Sequence, residues 1–245
     1  MSETVLILGA TSAIARATAA AFAARGDALY LASRDDDELR RIAADIRLRY
    51  GVEVQHGLFD AEATATHEAF FKSVVAAMPD ISGVVLAFGY LGDQQSARDF
   101  SVASKVIASN FTGAASILSH CANHFELLQR GFIIGISSVA GDRGRQSNYV
   151  YGAAKGALSL YLQGLRNRLY ASGVRVITVK PGFVDTAMTY GLPGLFLVAS
   201  PQSIGARIVA TLGRSADVVY LPWFWRYIML IIKHIPEPIF KRMKL

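Results

Sequence analysis

Short apolar runs separated by helix-length segments constrain this chain more than any other feature. The runs are Thr4–Leu8, Ala28–Ala32, Val52–Phe59, Gly83–Phe88, Phe132–Ser137 and Val174–Val179. Between them lie an alanine-rich segment ending at Arg25 before Gly26, then Asp36–Tyr50 with its acidic start, Thr64–Met78 stopping at Pro79, Ala97–Leu128, and Tyr151–Ala171. Strands that are apolar along their whole length are buried on both faces. Strands joined by helices must run parallel, because a parallel crossover needs a long connection. The pattern predicts a single-domain α/β protein of 245 residues, a doubly wound parallel sheet of about seven strands with helices on both sides. No internal repeat or linker interrupts it. Gly182–Ser200 is the least regular stretch and is expected to form a mobile flap.

The chemistry concentrates late in the chain. In the predicted helix from Tyr151, apolar residues recur at Ala154, Leu158, Tyr161, Leu162 and Leu165, a 3.6-residue period. Tyr151 and Lys155, four apart, therefore share a face. Of the ten tyrosines only Tyr151 has a lysine at that spacing. A phenol titrates near pH ~10, and a cation beside it is expected to lower that value toward neutrality. Ser138 closes the apolar run Phe132–Ser137, where its hydroxyl could reach a carbonyl oxygen held against Tyr151. Such a set moves one proton to or from a carbonyl or alcohol oxygen. Alone, Tyr-x-x-x-Lys is also a common surface pair.

The first turn, Gly9-Ala10-Thr11-Ser12-Ala13-Ile14-Ala15, joins a strand to a helix N-terminus. Unpaired N–H groups and the helix dipole make that junction attractive to a phosphate. Gly9 supplies the turn, and Thr11 and Ser12 supply hydroxyls, but the usual second and third glycines are Ala13 and Ala15 here, and the G-x-G-x-x-G pattern fails. After the second run comes Ser33-Arg34-Asp35. An arginine there suits a ribose 2′-phosphate and an acid suits a free 2′-hydroxyl. Arg34 lies nearer the strand end, so the reading favours NADP(H) and leaves NAD(H) open.

Composition removes several classes. A net charge of +6 and an isoelectric point near 9.5 permit an anionic partner. No basic stripe with interleaved aromatics is present, so nucleic-acid binding is not expected. The single Cys121 allows no intrachain disulfide and no cysteine metal cluster, and no metal is expected. Mean hydropathy is high at +0.32, yet no run approaches the ~18 apolar residues of a membrane span. Ser2, Glu3 and Thr4 follow Met1 directly into Val5-Leu6-Ile7-Leu8, so no signal peptide is expected and the expected location is the cytoplasm.

Taken together these pieces resemble the short-chain dehydrogenase/reductase family over nearly the whole chain. The glycine turn corresponds to Gly9–Ala15, the acid after the third strand to Asp60, and the Asn-Ala-Gly segment to Ala87-Phe88-Gly89. The catalytic asparagine corresponds to Asn110, the Ser, Tyr and Lys to Ser138, Tyr151 and Lys155, and Pro-Gly-x-x-x-Thr to Pro181 through Thr186. The resemblance implies a Rossmann fold, a nicotinamide dinucleotide, and reduction of a keto group with Tyr151 as proton donor. By the same resemblance Ser138 binds the carbonyl oxygen, Lys155 holds the nicotinamide ribose, and Asn110 holds a water joining Lys155 to solvent. Gly9, Thr11, Ser12, Ala13, Ile14, Ser33, Arg34, Asp60, Ala87, Phe88, Gly89, Pro181, Gly182, Val184 and Thr186 are implied around the cofactor, with Thr186 on its carboxamide. A homo-oligomer paired through the helices of Asn110 and Tyr151 is implied as well.

Within the family, Ala87 through Asp93, Phe132–Gly141, Val150-Tyr151-Gly152 and the stretch from Phe224-Trp225-Arg226-Tyr227 to Lys233-His234-Ile235-Pro236 look like decaprenylphosphoryl-2-ketoribose reductases. These reduce a keto sugar carried on a polyprenyl phosphate, which makes an arabinose donor for cell-wall arabinan. Another lipophilic or sugar ketone is the alternative substrate, and a dinucleotide-binding protein without turnover is a further reading. Arg143 and Arg145, between Ser138 and Tyr151, are candidate ligands for a substrate phosphate; the other reading is solvated loop charge. The tail 223–245 combines Trp223-Phe224-Trp225 and Tyr227–Ile232 with Lys233, Lys241, Arg242 and Lys244, opposed only by Glu237. It is expected either to touch the inner face of a membrane peripherally or to pack inside the protein or its oligomer.

Overall fold

The computed structural model describes residues 2–93, 95–191 and 194–243, with the side chain of Ser96 left aside. Met1 and Lys244, used above, and residues 192–193 of the expected flap lie outside the described residues. Seven strands form one parallel sheet: β1 (Thr4–Leu8), β2 (Ala28–Ser33), β3 (Val54–Leu58), β4 (Gly83–Leu86), β5 (Phe132–Ile136), β6 (Arg175–Pro181) and β7 (Val218–Leu221). Their order is β3-β2-β1-β4-β5-β6-β7. The helices are α1 (Ala13–Ala23), α2 (Asp36–Tyr50), α3 (His67–Ala77), α4 (Phe100–Ile107), α5 (Gly113–Leu128), α6 (Tyr149–Leu169), α7 (Pro201–Ala210), α8 (Trp225–His234) and the single turn α9 (Glu237–Phe240).

Side chains alternate across each strand, so one run feeds two cores. Val5 and Ile7 of β1 face one layer with Ala15, Phe22, Leu39 and Ile204, from α1, α2 and α7. Leu6 and Leu8 face the other with Phe71, Ile117, Leu158 and Leu162, from α3, α5 and α6. These four β1 side chains are fully buried, each contributing about 1.5–3 kcal/mol by transfer from water. Doubly covered strands explain why the runs are unbroken rather than alternating.

Two elements differ from expectation. The predicted helix Ala97–Leu128 is divided: a π-helical turn, Ala108–Thr112, separates α4 from α5. Such a turn inserts a residue into the helical register and turns Asn110 inward, where it is buried. The short strand β7, Val-Val-Tyr-Leu, is half covered at the sheet edge and carries no long apolar run. The flap region is tied back by a bridge between Val184 and Ala199, with Ala199 N donating to Phe183 O at 3.0 Å and Asp185 N to Ala199 O at 2.9 Å.

Candidate active site

The sheet order reverses between β1 and β4, and ligands of open α/β sheets lie beyond the carboxyl ends of strands at such a point. Gly9 and Phe88 follow those two strand ends. Gly9 has φ 82, and a Cβ there would stand 2.7 Å from Phe88 N. Both facts require glycine. The turn is tied to β2 by Gly9 N and Ala10 N, which donate to Ala32 O at 2.8 and 3.0 Å. Ser12 caps α1 by accepting from Ala15 N at 3.2 Å, leaving the other first-turn N–H groups facing the crevice. Ala15 is fully buried within the first core layer, so its methyl is absorbed by packing.

Close packing brings the reacting groups together. Ser138 caps the 3-10 turn Val139–Asp142, accepting from Ala140 N at 3.1 Å. That turn lies directly on the first turns of α6. A Cβ on Gly141 would stand 2.7 Å from Gly156 N, and one on Gly152 would stand 2.8 Å from Ala140 O. Ser137 Oγ donates to Lys155 O at 2.8 Å, pinning β5 to the same turn of helix. Backbone contact at this distance brings the Ser138 hydroxyl near that of Tyr151, close enough to act on the phenol's ionisation. Lys155, only 3% exposed, donates from Nζ to Ile136 O at 3.1 Å. Asn110 is held by three hydrogen bonds: Oδ1 accepts from Tyr90 N at 3.2 Å, and Nδ2 donates to Tyr90 O at 2.6 Å and Val106 O at 2.8 Å.

The electrostatics correct the expectation for Tyr151. Burial pushes its phenol up to about 12, opposed by the hydrogen bond with Ser138. The Lys155 ammonium is 5.9 Å from the Tyr151 ring centre, and burial pushes Lys155 itself down to about 8. Desolvation outweighs the attraction between them. Tyr151 is therefore protonated at neutrality, the state a proton donor needs, and Lys155 is mostly cationic at pH 7.

A model of the short chain dehydrogenase family matches residues 3–193. An uncharacterized oxidoreductase of Mycobacterium tuberculosis (strain ATCC 25618 / H37Rv) is 35% identical over 240 residues, covering 98% of this chain and 96% of the relative. An uncharacterized oxidoreductase of Streptomyces coelicolor is 36% identical over 247 residues, with 98% and 96% covered. The chain belongs to the short-chain dehydrogenase family. It is an oxidoreductase. Among solved structures, a short-chain dehydrogenase from Sphingobium yanoikuyae in complex with NADPH superposes with a TM-score of 0.81 at 26% identity, covering 96% of this chain and 97% of that one.

The residues expected around a dinucleotide gather at the carboxyl ends of the strands. At Gly89 a Cβ would stand 2.9 Å from Asn110 Oδ1 and 3.2 Å from Lys155 Nζ, so glycine leaves room for both side chains. Ser33 Oγ and Thr11 Oγ1 are 2.9 Å apart at the floor of the first turn. Arg34 is exposed and has no ion-pair partner among the described residues, whereas Asp35 caps α2 by accepting from Glu38 N at 3.0 Å. Asp60 is exposed at the end of β3, accepting from Glu62 N at 3.0 Å, and Ala87, Phe88 and Gly89 continue β4 into the crevice. Pro181 ends β6, Gly182 lies against the Trp225 indole, and Val184 is buried near the start of the flap. Thr186 is half-buried, its N–H donating to Thr189 Oγ1 at 3.2 Å. Ala13 and Ile14 are half-buried at the start of α1.

Arg16 was absent from the sequence reading. Its Nε donates to Thr11 O at 3.1 Å and it pairs with Glu38, placing a guanidinium on the first turn. Its helical position one turn inside α1 was the available signal. The phosphate expectation for Arg143 is revised. Its Nη1 donates to the carbonyls of Ile232, Lys233 and Ile235 at 2.9, 2.9 and 2.6 Å, and Nη2 pairs with Glu237 at 2.8 Å. Cations at a helix C-terminus satisfy its free carbonyls, and these contacts engage both terminal nitrogens of Arg143. Arg145 is different: its Nε is buried without a hydrogen-bond partner.

Proposed function

We propose that the protein reduces the keto group of a lipid-linked sugar, a polyprenylphosphoryl 2-keto pentose, with NADP(H) favoured as cofactor and NAD(H) accepted less well. The cofactor supplies the hydride when bound. Ser138 and Tyr151 then converge on the carbonyl oxygen. Tyr151, kept protonated by burial, donates its proton, and Lys155 restores it and carries positive charge next to the developing alkoxide. Asn110 fixes the Tyr90 backbone beside Lys155 and marks the route by which a proton reaches it. Gly9, Thr11, Ser12, Ala13 and Ile14 would hold the pyrophosphate, Arg34 and Ser33 the 2′-phosphate, Asp60 and Ala87–Gly89 the adenosine side, and Pro181, Gly182, Val184 and Thr186 the carboxamide.

The observation that supports a lipophilic substrate is an aromatic cluster beside the catalytic serine: Trp225 packs against Val139, the residue after Ser138. Phe183, immediately after β6, stands 5.4 Å from Trp225, and Phe196 of the flap also stands 5.4 Å from Trp225. The start of the tail thus packs into the fold beside Val139. Arg145, on the loop between Ser138 and Tyr151, is the candidate for the substrate phosphate. This reading places the enzyme at the inner face of a membrane, in contact through the tail. Exposed Phe100, Leu127 and Leu160 on α4, α5 and α6 support pairing of two copies through those helices.

The test is cofactor oxidation with a freshly generated polyprenylphosphoryl 2-keto pentose, compared with simple water-soluble ketones. Preferred turnover of the lipid-linked substrate is expected, with a Michaelis constant raised by Arg145→Ala for that substrate alone. Equal turnover of simple ketones would dismiss the lipid-linked substrate, and cofactor binding without any turnover would make the chain a binding protein.

A further inference from the structure

The outer face of α8 is left without a partner in the fold. Trp225 and Met229 on its inner side are buried against Val139, next to Ser138, with Ile228 and Ile232 half-buried around them. On the opposite side Tyr227, Leu230 and Ile231, with Trp223 just ahead of the helix, each expose more than half of their surface. Their spacing of four, three and one residues is that of a helical stripe, and the rings of Trp223 and Tyr227 meet at 6.0 Å. A stripe of four large exposed apolar side chains is a surface awaiting a partner.

Charge identifies which. Arg226 and Lys233, seven apart, line one edge of the stripe, and Lys241 and Arg242 follow beyond α9, all exposed. The only acid among the described residues of the tail, Glu237, is paired with Arg143. A second copy of this chain laid symmetrically on the stripe would bring two copies of the same basic set to one interface. An anionic lipid surface meets both features: apolar and aromatic residues enter the headgroup boundary, and cations meet the headgroups. No helix among the described residues is long and apolar enough to cross a membrane, which leaves in-plane docking.

We infer that the outer stripe of α8 docks onto anionic lipid in the plane of the interface, presenting the site beneath Trp225 to a substrate that stays in the lipid. The inference rests on the lipid-linked substrate reading and names the surface that meets it. The Arg143 contacts with Ile232, Lys233 and Ile235 fasten α8 to the loop after Ser138, so docking orients the site as a unit.

The experiment uses the full chain with phosphatidylcholine vesicles, with and without phosphatidylglycerol, at low and high salt. Trp223 is 64% exposed and Trp225 only 2%, and the chain has no other tryptophan. Brominated lipid is therefore expected to quench Trp223 emission and to spare the emission left in Trp223→Phe. Arg226→Glu with Lys233→Glu is expected to weaken binding to anionic vesicles about tenfold or more. Leu230→Gln with Ile231→Gln is expected to abolish quenching while turnover of a water-soluble ketone persists, which confirms folding. Protein that stays in the supernatant at low salt, or that binds equally well with either pair substituted, overturns the inference. So does a dimer that these substitutions dissociate without any vesicle binding. Turnover of the lipid-linked ketone in detergent without vesicle binding would sink the docking surface and leave the substrate reading standing. Vesicle binding through the stripe without that turnover would support docking and remove the substrate.

Discussion

Replacing Lys155 by Met is expected to abolish turnover and yet make the protein more stable at pH 7. Lys155 is 3% exposed, and its ammonium donates to Ile136 O. Burial lowers its ionisation from the ordinary 10.5 to about 8. Because the folded value lies below the unfolded one, the folded state resists the proton. The cost of the buried charge is fully present below pH 8 and fades as pH rises from about 8 to 10.5. At 1.36 kcal/mol per pH unit the gap amounts to about 3 kcal/mol. Methionine keeps the unbranched shape without the charge, but leaves Ile136 O without its donor, which costs about 1–2 kcal/mol. The variant should therefore gain about 1–2 kcal/mol at pH 7 and lose about as much at pH 10.5. The two stabilities should cross between pH 8 and 10.5.

Urea unfolding of both proteins at a series of pH values measures this directly, since other titrating groups cancel in the difference. A variant less stable than the parent at pH 7, or a difference constant from pH 7 to 10, would refute the assignment of a desolvated charge to Lys155. The result matters for function because a charge that destabilises the fold is retained only where the chemistry needs it.

Three further outcomes follow from the same geometry. Tyr151→Phe should lower turnover about 10²–10⁴-fold with cofactor affinity unchanged by titration calorimetry, because only the proton donor is lost. Arg34→Glu should raise the Michaelis constant for NADPH at least about tenfold and leave that for NADH little changed, since a carboxylate would face the 2′-phosphate; equal effects on both cofactors would remove Arg34 from that contact. Arg143→Ala should release α8 from the loop after Ser138, seen as faster proteolysis within residues 223–240 and a loss of about 1–3 kcal/mol in unfolding free energy; unchanged proteolysis would show that packing of Trp225 and Met229 alone holds the tail.

The layering was legible because it depends on spacing alone. Thr4–Leu8 and its successors could be assigned to a doubly covered sheet from apolarity, and Tyr151 and Lys155 to one helix face from their separation. What depends on depth or on distant partners was not legible. Asn110 sits in a π-helical turn, which no periodicity announces until a hydrogen-bond register has slipped. Arg143 finds its partners some ninety residues on, at carbonyls any residue would carry, so nothing in its own surroundings distinguishes it from a solvated loop charge. Tyr151 makes the point about sign. Four-residue spacing says that an ammonium shares the phenol's face, and on an exposed helix that cation would lower the phenol's ionisation. Inside the fold each group loses its water, and the loss raises the phenol and lowers the amine by more than their attraction returns. The spacing names the pair; only the depth at which Gly141 and Gly152 let the Ser138 turn settle on α6 decides that the phenol keeps its proton and serves as the donor.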